Sequence, residues 1–447
     1  VNKSWTVSGA MGLIAVLLAL AAAYYYPWPE RTVANAQVNQ KLFPNLDLDE
    51  ARTLTLTTFD RDDQRFETVR LKRVQDAWFL ASANDFPAGN TARRADVLDI
   101  LSQATILEVK STDDGSHQLY GVVDFEQITD PANQSGIGAK ISLADNNNRS
   151  LADLIVGEPV GDDPDQRFVR VAGQPSVYVI QLPASLLTTA LAAWVDHNLL
   201  DVKRSSSGAG LDVSAVQVDH YVLEGDAVTD TSATKYNYRA QIEFATQGLA
   251  ATVVKPGEDG LLGEPRSAPS VHSQTIALMG GNLSQVQFTG VAKKPSAAIE
   301  AISAGPGGAG SLASLANFGF RRGTAAGQWL ESKNGQTIIS TSGGVNWTLN
   351  FGSVAPNPNA TDAQIMYYLL ITATANEAAF PPPAEPADPN NEDQKRDYER
   401  AVKRRDDNVA RARNLASQYN IRHAPWLYLI NEDALRALRP EESDLFR

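Results

Sequence analysis

The sequence predicts an α+β chain: one N-terminal transmembrane helix followed by a duplicated, mostly antiparallel sheet-plus-helix unit. Three observations predict it. An uncharged run from Ser4 to Pro29 is apolar through its middle. Several later stretches alternate apolar and polar residues with period two, the mark of a sheet with one buried and one wetted face. An ordered set of sequence landmarks then occurs twice. The expected divisions are an anchor over 1–31, a first unit over 32–205 and a second over 206–447, the last carrying a Pro-rich linker and an inserted charged helix at 380–419.

The anchor comes first. Leu13, Ile14, Leu17, Leu18 and Leu20 fill its centre, Trp5 marks one edge, and Tyr24, Tyr25, Tyr26 and Trp28 mark the other. A bilayer core needs roughly 20 apolar helical residues, and aromatic rings favour both interfaces. Lys3 precedes the run, which places the N-terminus in the cytoplasm and the body outside by the positive-inside rule. The alternative, a cleaved signal peptide ending near Ala19 or Ala21, fits less well because the run exceeds a signal core.

Strands and helices follow in a repeated order. Thr53 to Thr57 alternates, and Ala92 to Ala104 sets Val97, Leu98, Leu101 and Ala104 on one helical face. Leu119-Tyr120-Gly121, a strand near Ile141, Ile155-Val156-Gly157, an edge-like Arg167 to Val171, and Val177 to Leu182 come next. A short helix from Pro183 holds Leu186, Leu187, Ala190 and Leu191. In the second half Tyr236 to Phe244 alternates, and Thr275 to Leu283 takes the place of the first helix. Asn317-Phe318-Gly319, Gln336 to Ser340, Trp347 to Gly352, Met366 to Thr372, Trp426 to Ile430 and a Leu435–Leu438 helix complete the second set. The aromatic-Gly and strand-Gly landmarks agree between the halves.

The second half then departs from the first. After Phe380-Pro381-Pro382-Pro383, residues 391–419 read as one highly charged helix. Tyr398, Val402, Val409, Ala412, Ala416 and Tyr419 follow a four-three spacing with Arg405 in the gap, a narrow seam of coiled-coil type. The first reading is a solvated helix lying on its own domain and supported by i,i+4 ion pairs. The alternative is a docking helix whose seam, Tyr398, Val402, Arg405, Val409, Ala412 and Tyr419, contacts a partner subunit.

Composition narrows the chemistry. A net charge of −13 opposes nucleic-acid binding by the body, and the absence of cysteine removes disulfides, thiolate metal sites and cysteine nucleophiles. The Gly-rich Ser303–Ser311 run lacks the Lys-Ser/Thr ending of a phosphate loop. Asp145 to Arg149 starts like a calcium loop but has Ser150 where glycine is needed and Val156 where glutamate is needed, so it reads as a hairpin turn. No catalytic, cofactor or metal-ligating set is expected.

The run Leu151 to Glu158, then Arg167 to Gly173, then Ser176 to Ile180, with Leu119-Tyr120-Gly121 before and Trp194 and Leu199-Leu200 after, resembles domain-of-unknown-function family 4340, most clearly over residues 75–200. The resemblance implies an N-terminal membrane helix, a repeated extracytoplasmic α+β body and association with gliding-motility-type ABC transporters, and it brings no catalytic residues. The expected function is therefore a non-enzymatic, single-pass subunit of the bacterial inner membrane with a periplasmic body, whose partners are the lipid bilayer and other subunits of a complex. The alternative is a tethered module that binds a solute or envelope polymer in a cleft between the units, with Trp329, Trp347, Tyr367 and Tyr368 as candidate lining; against this, the aromatics read first as core, since Trp347 alternates with Val345 and Leu349 on a strand.

Overall fold

The computed structural model describes residues 37–131, 135–203, 211–225, 232–245, 248–257, 262–267, 271–307, 312–323, 329–356, 365–388 and 390–446. The anchor residues from Trp5 to Trp28 lie outside this set; among the described residues no helix is long and apolar enough to cross a membrane.

The chain forms two compact units. The first takes the described residues up to Ser82 together with Asn90–Thr189, and the second takes Ala83–Gly89 and everything from Ala190 onward. The division thus falls before the expected position 205. The reason is local: the Val286 amide donates to the His197 carbonyl and the His423 ring bonds the Leu199 carbonyl, so the segment after Ala190 is tied into the second unit.

Up to Gln181 the strands are β1 (Thr53–Asp60), β2 (Arg65–Val74), β3 (Ala77–Leu80), β4 (Phe86–Pro87), β5 (Glu108–Ser111), β6 (Ala139–Ala144), β7 (Ser150–Val160), β8 (Asp163–Val171) and β9 (Val177–Gln181). The first unit's sheet runs β3-β2-β1-β6-β7-β8-β9-β5, antiparallel throughout. Helix α1 (Thr91–Gln103) starts at Asn90, whose side chain accepts from the Arg93 amide, and buries Val97 and Leu101. A single turn, α2 (His117–Tyr120), ends on Gly121. Two expectations fail here. The β8 segment is no edge: it pairs on both sides, and its buried Arg170 is satisfied by the Val122 and Gln174 carbonyls and by Asp124. The Pro183 segment forms only short 3₁₀ turns, at Ala184–Leu186 and Leu191–Ala193, with β-branched Thr188 and Thr189 between them disfavouring a continuous helix.

The second unit adds β10 (Val202–Lys203), β11 (Leu211–Leu223), β12 (Thr234–Ala245), β13 (Gly248–Val254), β14 (Arg266–Ser267), β15 (Gly290–Lys293), β16 (Phe320–Arg322), β17 (Leu330–Ser332), β18 (Gln336–Thr341), β19 (Val345–Ala355), β20 (Met366–Ala375) and β21 (Trp426–Asn431). Its helices are α3 (Ser273–Ser284), α4 (Ser296–Ala304), α5 (Glu392–His423), α6 (Glu432–Leu438) and α7 (Glu442–Leu445). The sheet order is β14-β13-β12-β11-β18-β19-β20-β21-β15. From β13 to β15 this repeats the first unit's order from β3 to β5, with β14 added at the edge and α1 and α3 at the same place in the chain order.

The shared glycines explain part of that identity. Gly121 (φ 74°) and Gly319 (φ 86°) take the left-handed conformation after Tyr120 and Phe318. Beneath them lie Gly157 on β7 and Gly352 on β19, where a Cβ would collide with the carbonyl oxygens of Tyr120 and Phe318 respectively. Each strand breaks register just there, between Val156 and Pro159 and between Phe351 and Val354.

Candidate functional site

In the second unit, β11, β12 and β18 to β20 carry strongly different faces. On one face Val216, Val218, Ile242, Trp347, Leu349, Ile371 and Ala373 are buried. Helix α3 approaches Val216 and Ile242 through Ile276, Met279 and Leu283. Helix α5 brings Tyr419 to 4.3 Å of the Trp347 ring. Period-two alternation sends the intervening residues to the other face, and these are polar.

The register lines them up. Arg239 pairs with Asp219, Asp219 with Gln336, Gln336 with Asn350, and Asn350 with Leu370, a row across five strands. The next row is Gln241, Gln217, Ile338, Thr348 and Thr372, and Asn346 opposite Thr374 continues the face. An apolar cluster of Ala298, Ile302, Leu315, Phe320, Leu330, Leu370 and Leu427, with Trp329 packed against it, covers another part of the second unit. A cavity of about 390 Å³ lies over the polar rows, with Trp329, Leu330, Tyr236 and Leu262 completing its wall. The β16–β17 hairpin that carries Leu330 is fixed by a buried ion pair, Arg321 to Glu331 at 2.6 Å.

At the centre sits Asp219, fully buried. Its carboxylate accepts from Arg239 Nε (2.5 Å) and Nη2 (3.1 Å), Gln336 Nε2 (2.9 Å) and Gln217 Nε2 (3.0 Å). Four donors on one carboxylate neutralise and fix it. Burial works against the Arg239 charge, but the hydrogen bonds and charge of Asp219 outweigh it and hold that pKa above its ordinary value. Burial, then the Asp219 charge, raises the pKa of Tyr236, whose ring lies 5.8 Å from the Arg239 guanidinium.

Asn350 is also fully buried. Its amide nitrogen donates to the Leu370 carbonyl (3.2 Å), the Thr348 carbonyl (3.3 Å) and Thr372 Oγ1 (3.4 Å). Two carbonyl acceptors fix which end of the amide is the nitrogen. Its Oδ1 has no hydrogen-bond partner, and neither does Asn346 Oδ1.

The residues expected at a partner seam are placed otherwise. Val409 and Ala412 are buried on their own unit, and Tyr419 lies against Trp347. Tyr398, Val402 and Arg405 are half-buried, and Arg405 Nε donates to the Phe380 carbonyl of the linker. The C-terminal half of the seam is therefore internal. Near its end Asn420 clasps β20, accepting from the Ala373 amide and donating to the Ala373 carbonyl, both at 2.8 Å. The helix also runs four residues past the expected Tyr419, to His423.

Of the expected aromatics, Trp329 lines the cavity, Trp347 is core, and Tyr368 packs edge-on against Phe318 at 5.0 Å. Asp219, Arg239, Gln336 and Asn350 were not singled out in the sequence. The available signal was their period-two spacing on strands, which by itself reads as an ordinary wetted face.

No curated protein matches this chain, and no solved structure matches it. Residues 78–233, which run from β3 into β11 and the segment after it, match the family described as Domain of unknown function (DUF4340), and this segment of the chain belongs to that family.

Proposed function

We propose that the protein is a non-enzymatic binding module whose second unit holds a small polar solute, or one residue of an envelope polymer, on the sheet face spanned by β11, β12 and β18 to β20. The observation that carries this reading is the 390 Å³ cavity over the polar rows, walled by Gln217, Arg239, Gln336, Thr348, Asn350 and Thr372 beside Trp329 and Tyr236. Its volume falls within the usual range for small-molecule sites. Asp219 supports binding over catalysis, because its carboxylate is occupied by four donors. A thermal-shift screen across sugars, amino acids, polyamines and inorganic anions tests the reading. A ligand at 100 times its Kd should stabilise the fold by about 2.7 kcal/mol. No shift with any class would refute it.

A second reading is a subunit that scaffolds or regulates a larger envelope complex such as an ABC-type transporter, anchored by the N-terminal apolar run with its body in the periplasm. The specific support is the first half of α5, where Glu392 to Asp397, Glu399, Arg400, Lys403 and Arg404 are exposed. Mild-detergent purification followed by mass spectrometry tests it, and recovery only as a lone monomer would count against it.

A further inference from the structure

Resting on the reading that this cavity is a solute site, we propose that its ligand is a neutral polyhydroxylated compound, one or two sugar or polyol units. Three properties of the site lead there.

The first is charge. Asp219 is bonded to Arg239, Gln336 and Gln217, and two Arg239 nitrogens are engaged with it. The pair is internally neutral. An anion near Arg239 finds its charge already matched by Asp219, and a cation near Asp219 finds its charge already matched by Arg239. Neither finds an unused counter-charge.

The second is hydrogen-bond polarity. The wall is built from side-chain amides, at Gln217, Gln336, Asn346 and Asn350, and from hydroxyls, groups that each donate and accept. Sulfate and ionised carboxylate groups accept only, and phosphate near neutral pH keeps few hydroxyl donors beside its charged acceptor oxygens. A hydroxyl donates one bond and accepts others, as do the threonine hydroxyls at 348, 372 and 374 in the same wall. Hydroxyl facing hydroxyl and amide is the pairing that satisfies every group at once.

The third is shape. From Asn346 to Asn350 along β19 is roughly 13 Å, at about 3.3 Å per residue. The three strands β18 to β20 are roughly 10 Å wide, at about 4.8 Å per step. That patch suits one or two six-membered rings lying flat. Trp329 and Tyr236 in the wall supply π faces, whose negative potential attracts the C–H groups of a sugar ring.

The test uses the whole chain, titrated calorimetrically and by ligand-observed NMR against glucose, N-acetylglucosamine, cellobiose and inositol. Phosphate, citrate and spermidine serve as charged probes. The expected result is binding of at least one neutral probe and none of the charged ones, with affinity reduced at least ~10-fold by Asn350→Leu and by Trp329→Ala. Thr374→Val, at the half-buried end of the face, should weaken binding less and is the second variant should Asn350→Leu not fold. Circular dichroism checks that each variant is folded. If a charged probe binds and the neutral ones do not, the ligand class is wrong while the cavity remains a solute site. If no probe of any class binds, the solute reading falls with it. If a sugar binds but folded Trp329→Ala and Thr374→Val leave its affinity unchanged, the sugar lies elsewhere and the inference is overturned.

Discussion

Two units share one sheet topology, yet the same row of positions is filled in opposite ways. In the second unit the row is Arg239, Asp219, Gln336, Asn350 and Leu370. In the first it is Thr68, Thr57, Lys140, Ile155 and Arg170. There Ile155 is fully buried in an apolar cluster with Val122 and Val177, with Phe125 and Phe168 packed on it. Thr57 and Thr68 share an exposed hydroxyl contact at 3.0 Å, and Lys140 pairs with Glu126 at 3.0 Å. The first unit closes its face with hydrophobic packing. The second fills the centre of its row with buried polar groups, Asp219, Gln336 and Asn350. The topology therefore does not demand a polar face, and the one present is a property of the second unit's side chains.

A reciprocal exchange should break this contrast most sharply. Ile155→Asn places an amide in a packed apolar cluster, and a loss of about 4 kcal/mol is expected from the lost burial and the unmet polar group. Asn350→Ile should change stability by about 1 kcal/mol or less, since it removes an unpartnered acceptor together with three weak donor contacts. Urea unfolding of both variants decides. Equal losses would mean that the two faces are equally committed to packing.

Next in size is Asp219→Ala. Removing one partner of a buried ion pair costs about 3–5 kcal/mol. Arg239 keeps 33% of its side chain exposed and can regain water, so the lower end, about 3 kcal/mol, is expected. The matched Thr57→Ala in the first unit should stay within about 0.5 kcal/mol. The shared scaffold is probed by Gly157→Ala and Gly352→Ala, which should each lose about 2 kcal/mol by forcing a methyl against a carbonyl. Clearly unequal losses would show that the two close approaches are not equivalent.

Acid should distinguish the units as well. His423 donates from Nε2 to the Leu199 carbonyl (3.0 Å), which leaves Nδ1 to accept from the Tyr428 hydroxyl (2.7 Å). This arrangement requires the neutral ring. Burial, then the charges of Arg422 and Lys294, lower its pKa from 6.5 to about 3. The unfolded chain therefore binds more protons between those values. Its contribution is full above about pH 6.5 and is lost as pH falls toward 3, with a slope of up to about 1.4 kcal/mol per pH unit. His423→Gln should flatten the acid limb of the stability curve. The smallest effect is expected from Arg400→Ala, within about 0.5 kcal/mol by urea unfolding, because its bond to Asp397 is fully at the surface.

The fold was largely legible because its landmarks are local. Tyr120-Gly121 with Gly157, and Phe318-Gly319 with Gly352, mark where a turn crosses a strand, and a turn that admits only glycine is visible in a sequence. Helix α5 was legible from the Pro-rich linker that precedes it, its charge and its four-three spacing. The cavity was not. Asn346, Thr348 and Asn350 look like the outer face of any half-buried strand. Their meaning depends on Gln336 and Asp219 standing opposite in register, and those positions are up to 131 residues away in the chain, from Asp219 to Asn350. The seam of α5 leaves two readings open for a related reason. A stripe of Val409, Ala412 and Tyr419 has the same spacing whether it meets another chain or its own β20.

The clasp at Asn420 bears on how the molecule avoids sticking to copies of itself. Strand β21 covers β20 only over Met366–Leu369, and the strand continues to Ala375. An uncovered strand end offers a ladder on which a neighbouring molecule can add a strand of its own. At Ala373 the Asn420 side-chain amide occupies both the backbone N–H and the C=O, in the manner of one rung of a missing strand. Helix α5 thus acts as a stopper on that ladder, with Asn420 filling one rung where β21 no longer reaches.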